Sequence, residues 1–112
     1  MYNKIVIINS EILGQGDGSV GRTLLGVFLR KTLASITKPD AIIFYNSAVK
    51  LLTHGSSYID ILQALEESGV ELLACGTCVY KVCGQNSLLT GRITHMDEIT
   101  DILLNANSVI TL

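Results

Sequence analysis

The chain has no tryptophan, a single proline (Pro39), and charge on only 16% of its residues. A soluble domain ordinarily carries roughly 25% charged residues, so this one has little polar material with which to clothe itself. Eight Lys and Arg against ten Asp and Glu leave a net charge of −2, which excludes the basic footprint of a nucleic-acid binder. No stretch reaches the roughly 18 uninterrupted apolar residues of a membrane span. The apolar run near the N-terminus lacks the small-residue cleavage site of a signal peptide. The cysteines, Cys75, Cys78 and Cys83, are odd in number and clustered, unlike the framework of a disulfide-stapled secreted domain. These absences point to the cytoplasm and to partners other than nucleic acid or membrane.

What is present is aliphatic. Hydrophobic residues make up 48% of the 112, and a chain this short has room for one modest core, so a single domain over residues 1–112 is expected. The surplus of Leu, Ile and Val predicts apolar surface that is covered by further copies of the chain.

KIVIIN, residues 4–9, is a continuous β-branched run of the kind that forms a strand buried on both faces. A glycine-rich loop, SEILGQGDGSVG, follows, and helical periodicity runs from about Val20 to Ile36. AIIFY predicts a second strand ending near Asn46, and SAVKLLTHGS an irregular stretch. Tyr58, Ile61, Leu62 and Leu65 mark an amphipathic helix over Ser57–Ser68, with Ser57 and Asp60 as a capping box and Gly69 as its stop. VELLA (70–74) and LLTGRI (88–93) read as strands, Thr94 and Asp97 as the cap of a helix over His95–Asn105, and SVITL as a last strand. Strands alternating with helices predict a three-layer α/β/α fold around a mostly parallel sheet of about five strands, flavodoxin-like in style.

In such a sheet, ligands bind outside the carboxyl ends of the strands. Four loops are expected there: the glycine loop with Gly16 and Asp17, the loop at Asn46, the cysteine segment with Gly76 and Thr77, and the loop holding His95. Cys75 follows the last apolar residue of its strand and precedes a glycine, where the amides of a helix start can lower a thiol pKa and make a nucleophile. The competing reading is packing, since free cysteine is among the most buried residue types.

Cys75 and Cys78 also spell C-x-x-C, the spacing of dithiol redox centres. A thioredoxin-like site places that motif after the first strand and beside a proline; here it follows the third strand, far from Pro39. A metal could take three thiolates with His54 or His95 as a fourth ligand, but the second half of a zinc motif and the fourth cysteine of an iron–sulfur site are missing. Neither a metal nor a cofactor is therefore expected. GDGSVGRT (16–23) fits the Walker A pattern except that Arg22 stands where a lysine reaches the phosphates. A turn opening a helix, capped by Asp17 or Ser19, explains it more simply.

The stretches GQGDGSVGRTLLGVFLRKTL, IIFYNSAVKLL, GVELLACGTC and the closing VITL together resemble the DsrE/DsrF-like sulfurtransferase family. Within it they are most similar to the C-terminal DsrE-like domain of YedF-type selenium metabolism proteins. The resemblance covers essentially the whole chain. It implies the same three-layer fold, trimeric or hexameric assembly, and a role in sulfur or selenium relay. A cysteine just after the third strand would carry a persulfide, which places that role on Cys75 with Cys78 as a resolving or second carrier thiol. The implied partners are a sulfur donor and an acceptor such as a TusA-like domain, whose Cys-Pro-x-Pro motif this chain lacks. His95 stands where the family commonly has Asn, and Cys83 lies outside the family pattern. Two other readings remain: a non-catalytic oligomeric module binding a small ligand or anion, and a dithiol redox or metal centre.

Overall fold

The computed structural model describes residues 2–84 and 88–112. Five short apolar runs become the strands β1 (Lys4–Ile8), β2 (Ala41–Phe44), β3 (Glu71–Cys75), β4 (Arg92–Thr94) and β5 (Ser108–Thr111), all parallel in the order β4-β3-β2-β1-β5. Between them run α1 (Gly18–Ala34), a 3₁₀ helix (Asn46–Leu52), α2 (Ile59–Glu67), the single turn α3 (Gly76–Cys78) continued by a π-helical turn (Val79–Cys83), and α4 (Met96–Asn105). The expected three-layer α/β fold is the one observed.

The layering follows from chain direction. From β1 to β4 each crossover steps the same way across the sheet, and parallel crossovers are right-handed, so α1 and α2 share one face. The return from β4 to β5, beside β1, reverses the step and puts α4 on the other. Side-chain alternation fills both. Val6, Ile8, Ile42, Phe44, Leu72 and Ala74 point to α1, α2 and the 3₁₀ helix, whereas Ile5, Ile7, Ala41, Ile43, Leu73 and Cys75 point to Ile99 and Ile102 of α4.

Several boundaries differ from the sequence expectation, each for a local reason. Helix α1 starts at Gly18 rather than Val20, because the Asp17 carboxylate accepts from the amides of Ser19 (2.8 Å) and Val20 (3.1 Å). The Ser57–Asp60 capping box does not form: α2 begins at Ile59, and the Ser56 hydroxyl accepts the Tyr58 amide. Its far end is as expected, with Gly69 at φ +106 while the Val70 amide reaches back to the Leu65 carbonyl and the Gly69 amide to that of Glu66, a Schellman closure. The stretch expected to be irregular is mostly the 3₁₀ helix, which buries Ala48, Val49, Leu51 and Leu52.

Strand β4 is shorter and later than LLTGRI suggests. The Leu89 amide donates to the Leu52 carbonyl instead of a strand, and Gly91 turns the chain at φ +80 against β3. A Cβ at Gly91 would lie 2.9 Å from the Leu72 carbonyl oxygen, so only glycine fits there. Nor does Thr94 cap α4. His95 takes the capping position without a side-chain bond, and the Thr94 hydroxyl donates to the Glu98 carboxylate.

Among the described residues no helix is long and apolar enough to cross a membrane. Two apolar strips face outward: Val20, Leu24 and Val27 along α1, and Val109 and Ile110 on the edge strand β5.

Candidate functional site

Strand β3 delivers the cysteines. Its alternation sends Leu72 and Ala74 to the α1 side and Leu73 and Cys75 to the α4 side, which leaves Cys75 only 4% exposed. Gly76 then starts α3, pressed so close to β4 that a Cβ would sit 3.2 Å from both the Ile93 side chain and the Thr94 carbonyl oxygen. One turn later Cys78, half-buried, packs against the core on both sides of the sheet.

Cys75 lies near enough to Cys78 to disfavour its thiolate, and the backbone of Asn46 lies near enough to favour it. This corrects the expectation that a helix start would aim its amides at Cys75. Cys75 is the residue before α3, yet its side chain accepts no capping bond and its sulfur is turned into the core. Burial pushes the Cys78 thiol up from its ordinary pKa, the Asn46 amide pulls it back, and the Cys75 sulfur adds to the rise.

Asn46 earns its place by its backbone. It follows β2 and opens the 3₁₀ helix at φ +54, the one non-glycine residue with positive φ among those described. That left-handed conformation is uncommon outside glycine, with Asn enriched among the exceptions, and such strain concentrates at functional sites. Tyr45, immediately before it, is the residue sequence reasoning missed. Its amide is tied to the Ile8 carbonyl, its ring packs on the α4-side core, and burial followed by charge on Cys75 and Cys78 raises its phenol pKa. The available signal was a hydroxylated aromatic side chain at a strand's carboxyl end.

The remaining expected residues divide. Gly76, Thr77 and His95 come together with Tyr80, Lys81 and Ile93 around an open cleft of about 490 Å³ beside the cysteine turn, though neither Cys75 nor Cys78 lines it. Gly16 and Asp17 shape the entry to α1. Gly16 is an exposed turn residue at φ +108, and Asp17 is occupied in capping α1. The Walker-like pattern dissolves, since Gly21 and Arg22 are inside α1 and Gly21 is packed against Ile12. Cys83 parts from the other thiols and lines a cleft on the α1 side together with His54. All three cysteines are free, and among the described residues no three His, Cys, Asp or Glu side chains converge as metal ligands.

Beside Cys75 the sheet edge is held by ions. Thr94 pairs with Cys75 in register. Its partner Glu98 takes both nitrogens of Arg92, at 2.9 and 2.7 Å, and Arg92 also reaches Glu71, which accepts from the Tyr2 hydroxyl. The Arg92 guanidinium and the Thr94 hydroxyl hold the Glu98 carboxyl at about 2. This network fixes the register of a three-residue strand that has little core of its own.

Comparison with known proteins agrees with this architecture. The DsrE/DsrF-like family model matches residues 4–112, and the chain belongs to that family. No curated protein matches it. Among solved structures it is similar to the ychN protein of E. coli, with a TM-score of 0.74 and 22% identity over 100% of both chains. It is also similar to a protein of unknown function from Methanobacterium thermoautotrophicum (0.71, 19%, 100% of both chains). A third, a conserved protein of unknown function from Bacteroides thetaiotaomicron, has a TM-score of 0.67 and 17% identity over 98% of this chain and 95% of that one.

Proposed function

We propose that this DsrE/DsrF-like chain carries sulfur as a persulfide on the Cys75–Cys78 pair and passes it to a partner thiol. The observation that carries the reading is the pairing of two free thiols at the carboxyl end of β3, one buried and one half-buried, packed in the same core cluster. Burial refines the roles. Cys78 is the more exposed thiol, so it meets the donor, and the nearly buried Cys75 acts second.

In the loading step the Cys78 thiolate attacks the terminal sulfur of a donor persulfide. A new S–S bond forms, the donor's S–S bond breaks, and its cysteine leaves as thiolate, with no net oxidation. An acceptor thiolate then takes that terminal sulfur and Cys78 leaves. Attack by Cys75 on the Cys78 sulfur itself would instead release hydrosulfide and leave a Cys75–Cys78 disulfide. The Asn46 amide supports negative charge on Cys78 in both steps, and Tyr45 can supply a proton beside it.

The finer kinship belongs to the same proposal. The GVELLACGTC block and the closing VITL favour a relative of the YedF-type C-terminal domain, working in the cytoplasm on sulfur or selenium, with a TusA-like protein as donor or acceptor. Incubating the reduced protein with a persulfide donor and mapping adducts by mass spectrometry tests it. A sulfur adduct on Cys78 is the expected result, with total sulfur loading reduced at least tenfold in Cys78→Ser and less in Cys75→Ser. Absence of any adduct on either residue while both thiols are titratable would sink the carrier role.

Self-association completes the proposal. The outward strip of α1 and the uncharged edge β5 are the sort of surface and strand edge that other copies cover. Leu24→Glu should lower the mass measured by light scattering toward that of one chain. An unchanged mass removes the α1 strip from the interface.

A further inference from the structure

The cleft that Cys83 lines, about 610 Å³, gathers a guanidinium, an ammonium and two serine hydroxyls. Arg22 of α1 and Lys50 of the 3₁₀ helix bring two fixed cations to it, against the single carboxylate of Glu11. The chain as a whole is acidic, with a net charge of −2, so this cationic excess is local. Among the described residues neither Arg22 nor Lys50 forms a salt bridge; the two ion pairs both belong to Arg92.

The backbone adds donors. The segment from Thr53 to Tyr58 turns sharply at Gly55, where φ is +91. Two of its amides are engaged, that of Ser56 with the Thr53 carbonyl and that of Tyr58 with the Ser56 hydroxyl. The amides of His54, Gly55 and Ser57 bond to no other described residue. The Tyr58 hydroxyl donates to the Arg22 carbonyl at 2.7 Å and so ties this turn to the helix that bears the guanidinium. On the opposite side Leu51, Val82 and Cys83 give the cleft an apolar wall.

Free amides, the two serine hydroxyls, a guanidinium and an ammonium around one turn make the donor set that recognises a tetrahedral oxyanion. A cleft of this size holds more than the anion alone, since small-molecule sites span about 300–1,000 Å³. The apolar wall suits an organic group attached to it. We propose that this cleft binds a small organic phosphate, with Arg22, Lys50 and the amides of His54, Gly55 and Ser57 around the phosphate and the remainder of the molecule against Val82 and Cys83. The site is independent of the persulfide reading, which uses other residues.

The test is a titration of the ¹⁵N-labelled protein with AMP, pyrophosphate, adenosine and succinate, followed through amide resonances and through the alkylation rate of Cys83. AMP and pyrophosphate should shift the resonances of residues 54–57, and AMP should slow Cys83 alkylation while leaving Cys78 unaffected; adenosine should do neither. Arg22→Gln and Lys50→Gln should each weaken AMP binding about tenfold, the worth of one charge-assisted hydrogen bond. Lys31→Gln, whose residue lies outside the cleft, should not weaken it. The amide spectrum of each variant also reports whether it is folded. Absence of shifts with millimolar AMP and pyrophosphate would overturn the proposal, and so would equal weakening by Lys31→Gln. Succinate binding as tightly as AMP would reject phosphate in favour of a dicarboxylate.

Discussion

The two sides of the sheet are built differently. The side under α1, α2 and the 3₁₀ helix buries sixteen side chains in one continuous cluster, while the side under α4 buries eight. The core of the thicker side is almost wholly aliphatic. On the thinner side one ten-residue helix covers the strands, and a polar network of Arg92, Glu98, Glu71 and Tyr2 assists it. Cys75 sits on that thinner side, with Cys78 at the boundary between the two. Stability is thus concentrated on one face, and the two neighbouring thiols lie where the cover is lightest.

Truncations on the two faces should show this most strongly. Phe44→Ala removes a fully buried ring from the thick side and should cost about 4 kcal/mol, within the range for buried aromatic truncations. For a domain whose total stability is of order 5–15 kcal/mol, that leaves little in reserve. Ile102→Ala on the thin side, in α4 and already 5% exposed, should cost about 2 kcal/mol. Urea unfolding of the two variants measures both costs; equal values, or the reverse order, would remove the distinction between the faces.

The polar network gives the thin side a pH dependence. Glu98 is held at about 2, first by Arg92 and then by Thr94, against an ordinary value of 4.5. A depressed carboxyl pKa stabilises the fold above the unfolded value and loses that contribution as pH falls through the folded one, so the window lies between about 4.5 and 2. Its side chain is 41% exposed, and solvent screening limits the contribution to about 1 kcal/mol. Unfolding free energy should therefore decline by about that amount across the window, and Glu98→Gln should flatten this part of the curve. A slope unaltered in Glu98→Gln would transfer the effect to Asp40, whose carboxyl is also lowered, by the Lys4 and Asn3 amides.

The same division governs what the sequence reveals. The buried strands β1, β2 and β3 are unbroken β-branched and aliphatic runs, and only a parallel sheet covered on both faces accommodates them, so their order and the fold class were legible. Cys75 at a strand's carboxyl end was legible for the same reason. The thin side and its neighbouring loops were not. Leu88 and Leu89 resemble a strand, yet Gly91 turns the chain and defers β4 to Arg92, because long-range contact with Leu72 overrides local propensity. The left-handed Asn46, the approach of its amide to Cys78 and the nearness of Tyr45 are tertiary facts that no spacing announces. The same holds for the π-helical turn that separates Cys83 from the other two thiols.

The smallest effect concerns two helix starts that look alike in sequence and differ in the fold. Asp17 and Ser57 each precede a helical run, and each has the chemistry of a cap. The Asp17 carboxylate bonds the first free amides of α1, on the thick side. The Ser57 hydroxyl bonds none in α2, where Ser56 has taken the Tyr58 amide. Asp17→Ala should therefore cost about 1 kcal/mol, the usual value of a lost cap, and Ser57→Ala less than about 0.5 kcal/mol, as for an ordinary surface substitution. Thermal unfolding of the two variants separates these cases. If Ser57→Ala were as costly as Asp17→Ala, the turn at residues 53–58 would be held by that hydroxyl, which would then not be free to donate in the cleft above it.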